Sequence, residues 1–393
     1  MAKSTAARAE ARFKQLCCLG LGGEAVMPAL VDELRAIIPS YGSSVFFLDE
    51  AGALVNIYDQ NPETPHVAPL YLGEFHNRPQ RELGTGFGDA LRHRYGVQTL
   101  EEILTVDVKT FSKSDYYNLL WRPLGYHSAM RLAFWDGNRP VGGVMLARSS
   151  GEPQFSEDEK RRLAILGTFF ALAMTGRDAI DGPVADSGRH GLIIADVEGT
   201  PIFSSAEGRR LLFFATHSRT LPGSHNDNLV LPPALVRICR GLAGVFASDP
   251  TAPVPVHHHR NVWGSFRFAA HWLGGWHSPQ DVVGITIAHE EPLPVQLVRR
   301  LGDLPLSPRQ AEICVMLATG LTNEAIAERL GISRHTAIAP RPMDLQPPGR
   351  SQPDGIGERN PVVQSAALRR SFRSGAARRN LLPCRLNRPH LIC

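Results

Sequence analysis

The sequence predicts an α+β protein. Two modules of helices flanking antiparallel hairpins come first, then a short all-α unit, then a polar tail. Three observations carry this. "FFLDEAGALVNI" at 46–57 and "IIADVEGTPIFS" at 193–204 follow one grammar, with Asp and Gly three residues apart between apolar runs. Long segments with helical apolar spacing accompany these hairpins. Near the C-terminus, caps and glycines fall at the spacing of short helices. Helices segregated around antiparallel hairpins mark α+β architecture.

Residues 4–18 predict a short helix. Residues 24–38, "EAVMPALVDELRAII", predict another, with Ala25, Val26, Leu30, Val31, Leu34, Ile37 and Ile38 toward one side. "SVFFLDEAGALVNIYD" predicts a hairpin turning at 49–52. Residues 60–90 read as loop. "MRLAFWDGNRPVGGVMLAR" predicts a second hairpin, turning at Asp136-Gly137. Ser156 and Glu159 form a capping box opening a long amphipathic helix with Leu163, Ile165, Leu166, Phe169, Phe170 and Leu172. The polar stretch 176–190 reads as a linker. After it, "GLIIADVEGTPIFSSAEGRRLLFFA" repeats strand, acidic-Gly turn, strand, helix. "PALVRICRGLAGVF" predicts a helix, and "SFRFAAHWL" and "DVVGITIAHEEP" predict paired strands. The first module, 24–175, resembles a GAF-type sensory domain, and the second, 184–290, a PAS-type domain. That resemblance rests on element order and the Asp-x-x-Gly hairpins. It implies a small-molecule ligand or a partner held between sheet and helices, without identifying one.

Charge separates the tail from the rest. The chain has 393 residues and a formal net charge of +4. Residues 341–393 hold ten Arg, no Lys, two Asp and one Glu, so the tail carries +7 and the remainder −3. A Pro-, Arg- and Ser-rich segment with little apolar periodicity reads as disordered, so 340–393 is expected to be a disordered tail. Cys17, Cys18, Cys239, Cys314, Cys384 and Cys393 form no C-x-x-C pair. Reduced thiols, a cytoplasmic protein and no membrane span are the expectations.

Residues 306–339 read "LSPRQAEICVMLATGLTNEAIAERLGISRHTAIA". Ser307 caps a helix, Pro308 suits its first position, and Gln310 completes a capping box. Gly320 suits a left-handed stop. Thr322 caps a second helix over Asn323–Leu330, Gly331 permits a tight turn, and Ser333 caps a third. Short helices joined by a Gly-containing turn form a helix-turn-helix. "LSPRQAEI", "GLTNEAIAERL" and "ISRHTAI" together resemble the LuxR-type DNA-binding domain. The resemblance implies a third helix lying in the major groove, with Thr322, Asn323, Arg334 and His335 at phosphates or groove, and Ser333 and Thr336 as capping or phosphate residues.

The end of this domain departs from the family. Pro340 falls near the seventh position of the third helix, where it removes a donor and clashes with the preceding turn, costing about 3 kcal/mol. Pro342 repeats the damage, and the family's fourth helix is missing. Met343-Asp344 must be encoded ATGGA(C/T), so reading one base later forces a Trp codon. With synonymous codons over Arg341–Glu358, the shifted frame can read "GRWTYNRLDVANRTELV", which resembles the missing end of a LuxR-type domain. A one-base frameshift near codon 340 is the expectation, leaving 306–339 as a truncated helix-turn-helix behind a connector at 291–305.

Other candidates weigh less. His257-His258-His259 point to alternate faces of an extended segment, which favours a loop or edge strand over a metal site. "GTGFG" at 84–88 lacks the register and the Lys-Ser/Thr of a phosphate loop, and reads as a flexible lid. Phe46, Phe47, Tyr58, Trp121, Tyr126, Phe134 and Trp135 are aromatics that could line a pocket or serve as core. Trp121-Arg122 with Tyr126-His127 is the most site-like cluster. No nucleophile elbow or catalytic carboxylate pair stands out. The expectation is a non-enzymatic regulator without metal or cofactor, a homodimer whose partners are DNA and an unidentified small-molecule ligand. The alternatives are a sensor or dimerisation protein without DNA-binding output, and a GAF-type module with hydrolytic activity.

Overall fold

The computed structural model describes residues 2–333, apart from 62, 77–82, 177–181, 219–229, 247–250, 275–280, 303, 305 and 319. Helices α1 (Ala2–Cys17) and α2 (Gly23–Ile37) precede β1 (Gly42–Leu48) and β2 (Leu54–Asp59). Short helices α3 (Thr64–Leu70), α4 (Phe87–His93), α5 (Leu100–Ile103) and α6 (Val108–Phe111) follow, with β3 (Gln98–Thr99) before α5. Then come β4 (Ser128–Asp136), β5 (Arg139–Arg148) and α7 (Glu157–Met174). The second module contains β6 (Val184–Ala195), β7 (Pro201–Ser204), α8 (Ala206–Thr216), α9 (Pro233–Phe246), β8 (Val256–Asn261), β9 (Gly264–Leu273) and β10 (Val282–Pro292). Helices α10 (Leu293–Leu301), α11 (Pro308–Ala318) and α12 (Asn323–Leu330) end the described chain.

The two sheets share a plan. Their strand orders are β2-β1-β5-β4-β3 and β7-β6-β10-β9-β8, so each runs second, first, fifth, fourth, third. The shared Asp-x-x-Gly grammar builds the same turn in both. Asp49 Oδ1 accepts the N–H groups of Ala51 and Ala53, and Gly52 takes a φ of 78°. Asp196 Oδ1 accepts the N–H of Thr200, and Gly199 takes a φ of 89°. An Asp that holds its own following backbone and a Gly free to enter the left-handed region is a turn with a mechanism.

Helices α1, α2 and α7 cover one face of the first sheet, where Phe134 stacks on Phe170 at 4.6 Å and Phe13 meets the same ring edge-on at 4.9 Å. The short helices cover the opposite face with a separate apolar cluster of Phe75, Phe111, Leu120, Trp121 and Tyr126. In the second module α8 lies against the sheet so closely that a Cβ on Gly191 would come within 2.4 Å of Gly208 Cα. One continuous core joins the modules. Trp263 and Phe214 pack on Tyr58, with Trp263 also edge-on to Phe47. Val295, Leu297 and Val298 of α10 and Val315 of α11 enter this same core.

Several expectations change. The α2 helix is buried well beyond the side marked as apolar, including Met27, Pro28 and Ala29, because α1, α7 and β10 all pack on it. The 60–90 stretch contains α3, α4 and a wide π-type turn at Tyr71–Phe75. The 176–190 linker already includes the start of β6. Its alternation of polar residues is that of a sheet edge, which composition alone reads as loop. On α7 the capping box forms as expected, but Ile165 and Leu172 face solvent at 57% and 53% exposure. The "GTGFG" segment is tied down rather than a lid. Gly84 bridges to Leu104, Thr85 N–H reaches Ile103 O, and Gly86 opens α4.

Candidate nucleic-acid interface and the junction above it

The helix-turn-helix is built from its caps. Ser307 N–H donates to Gln310 Oε1 at 2.8 Å, and Gln310 N–H donates to Ser307 Oγ at 3.3 Å, closing the capping box of α11. Gly320 takes a φ of 95° beyond α11. Thr322 Oγ1 accepts the Ala325 N–H at 3.2 Å and starts α12, while Gly331, φ 61°, ends it. Each side-chain cap satisfies a donor that the first helical turn leaves open, worth about 1 kcal/mol. Ile313, Ile326 and Ala327 form the small core, with Met316, Leu317, Leu321, Leu330 and Ile332 around it.

Of the sequence-predicted contact residues, Thr322, Asn323 and Ser333 are exposed. Arg334, His335 and Thr336, and with them the third helix and Pro340, lie outside the described residues. The outer surface of α12 is mixed in charge. Glu324 and Glu328 stand beside Arg329, and Arg309 is engaged by Glu312 at 2.8 Å and by the Leu330 carbonyl. A carboxylate near a helix N-terminus steadies the helix but repels phosphate.

The site-like aromatic cluster separates. Trp121 and Tyr126 are buried, whereas Arg122 and His127 face solvent. Tyr126 Oη lies 3.4 Å from the buried Asp59 carboxylate, which also accepts from Ser44. Burial pushes the Asp59 carboxyl up, with the Ser44 hydroxyl opposing. The other aromatics form no common pocket, since Phe134 belongs to the α7 face and Phe47 and Tyr58 to the junction with the second module. The three histidines lie on β8, an edge strand.

Sequence reasoning missed the junction's polar groups. Tyr58 Oη accepts from Arg210 Nη2 at 2.8 Å, and Arg210 Nη1 pairs with Glu207 at 3.2 Å. Glu207 lies 3.9 Å from Arg189, whose Nη2 donates to Asp32 Oδ2 at 2.7 Å. Asp32 stands 3.9 Å from Arg299 on α10, and Arg299 Nη1 holds the Glu291 carboxylate at 3.2 Å. Alternating charges thus run from the first module through the second to α10. Burial pushes the Glu291 carboxyl up to about 7, with Arg299 pulling the other way. His289, held between Trp263 O at 2.9 Å and Ser187 Oγ at 3.0 Å, is lowered to about 4 by burial. The partners are far apart in sequence and form no motif. The available signal was charge inside apolar strands, as in "DVVGITIAHEEP".

Two modules of one strand plan precede a capped pair of short helices. Residues 304–338 match the profile of the bacterial regulatory proteins of the luxR family, and the chain carries a LuxR-type helix-turn-helix there. No curated protein gives a significant match. Among solved structures, a GAF domain/HD domain protein from Geobacter sulfurreducens is 18% identical, with 39% of this chain and 93% of that one covered and a TM-score of 0.28. The GAF domain of the cyanobacteriochrome TePixJ is 12% identical, with 38% and 88% covered and a TM-score of 0.26. The E. coli DhaR(N)-DhaL complex is 13% identical, with 73% and 89% covered and a TM-score of 0.25. These scores are too low to bear on the modules, whose common plan stands on strand order. Among the described residues no helix is long and apolar enough to cross a membrane.

Proposed function

We propose that the chain is a transcriptional regulator of LuxR type, non-enzymatic, in which modules over 24–175 and 184–290 sense a ligand or partner and control a C-terminal helix-turn-helix. The capped helix pair at 307–331 within the family match carries this reading. Thr322, Asn323, Arg334 and His335 contact phosphates or groove, and Ser333 and Thr336 cap or contact phosphate. Phosphate contacts position such a domain and base contacts specify sequence. The chain acts as a homodimer that places two third helices on a two-fold site. Support comes from Ile165 and Leu172, large apolar side chains left exposed along α7.

Pro340 and Pro342 favour a second element of the proposal: as written, the chain binds DNA weakly and without sequence preference, through the tail arginines. A helix broken there presents about two turns to the groove. The test is a binding titration against genomic fragments at two salt concentrations. It compares this chain with one in which Ala339 is followed by His in place of Pro340 and then by "GRWTYNRLDVANRTELV". The written chain should lose affinity steeply with salt, as counterion release dictates. The rebuilt chain should select one fragment. Thousandfold or so selection by the unmodified chain, the range of specific complexes, would refute the impairment. Failure of both chains to bind would refute the regulator reading.

A further inference from the structure

The connector helix α10 joins the second module to α11. It follows β10 directly, buries Val295, Leu297 and Val298, and packs on α1, β6, β10 and α11. Its polar anchor is Arg299, which reaches Glu291 of the second module and stands within 3.9 Å of Asp32 of the first. Glu291 is 2% exposed, and its only ion-pair partner among the described residues is Arg299. The charged groups that act on it are Arg299 from α10, Arg189 from β6 and Asp32 from α2, with His289 two residues before it on its own strand.

We propose that Glu291, Arg299, Asp32 and Arg189 form a proton-linked latch that holds α10 against both sensory modules and releases it as Glu291 loses its proton. With α10 docked, Glu291 is sealed from water. With α10 undocked, the carboxyl meets solvent and regains its ordinary acidity. A state in which a carboxyl is harder to ionise binds its proton more tightly, so acid favours docking and rising pH opposes it. Arg299 offsets part of the cost of the buried charge, and Asp32 adds to it. A helix as short as α10 does not persist alone in water, so undocking melts it and exposes its amides. The latch itself does not depend on the DNA-binding reading. Only the consequence, freeing α11 through its contact with α10, rests on that reading.

The experiment is amide exchange on the full chain, following residues 293–301 at pH 6 and pH 8 and correcting for intrinsic exchange at each pH. Between an ordinary carboxyl near 4.5 and a docked one near 7, the docking equilibrium should weaken roughly tenfold across this interval. Glu291→Gln should keep α10 protected equally at both pH values. Asp32→Asn should move the midpoint to lower pH, because the charge that raises Glu291 is gone. A purely structural role for Asp32 would loosen α10 without moving that midpoint. A wild-type chain with no pH dependence at α10, a Glu291→Gln chain that keeps it, or an unmoved midpoint in Asp32→Asn overturns the latch. Because DNA is absent from the assay, these outcomes are independent of whether the chain binds DNA.

Discussion

His289 and Glu291, two residues apart on β10, titrate with opposite consequences, and the wild-type chain should hide both. His289 falls from 6.5 to about 4 in the folded chain. The unfolded chain therefore binds the extra proton between those values, and the stability from neutral His289 is lost as pH drops from 6.5 toward 4. Glu291 rises from 4.5 to about 7. Its contribution is fully present below 4.5 and is lost as pH climbs through 7. At about 1.4 kcal/mol per pH unit, moving from pH 8 to pH 5 costs roughly 2 kcal/mol at His289 and returns roughly 2–3 kcal/mol at Glu291. The two nearly cancel. Glu291→Gln should uncover the histidine, so that the variant loses about 2 kcal/mol on acidification while wild type changes little. His289→Gln should do the reverse. Urea unfolding at pH 5, 6.5 and 8, followed by far-ultraviolet circular dichroism, reads the effect. With an m-value of about 3 kcal/mol per molar, each variant's midpoint should move by roughly half a molar or more against wild type, in opposite directions. Parallel pH profiles for all three chains would refute the reasoning.

The other predictions test how the modules hold together. Trp263 is 2% exposed, contacts Phe47, Tyr58 and Phe214, and donates its Nε1–H to the His217 carbonyl at 3.0 Å. Trp263→Ala should cost about 3–5 kcal/mol and lower amide protection in β4 and β9 alike; loss confined to β9 would mean the shared core does not couple the modules. A fragment ending at 302 should be more stable than one ending at 290, since the shorter one discards Val295, Leu297 and Val298; equal urea midpoints would show that α10 adds nothing to the core.

Local chemistry was legible where one residue decides one conformation. The Asp-x-x-Gly turns, the Ser156–Glu159 box and the caps of α11 and α12 act within a few residues of themselves, so the sequence specifies them directly. Burial was less legible. Periodicity marked one side of α2 as apolar, yet Met27 and Ala29 are buried too, because the second module packs where one module alone would leave solvent. On α7 the opposite happened: Ile165 and Leu172 match the apolar pattern and still face out. The junction was illegible because ion pairs such as Arg189–Asp32 join elements that only the assembled core brings together.

That core also bears on the helix-turn-helix. Among the described residues its own apolar centre is small, with Ile313, Ile326 and Ala327 buried in it. Val315 of the same helix α11 is buried instead with the sensory modules. The helix-turn-helix therefore draws part of its stability from the surface on which α10 rests.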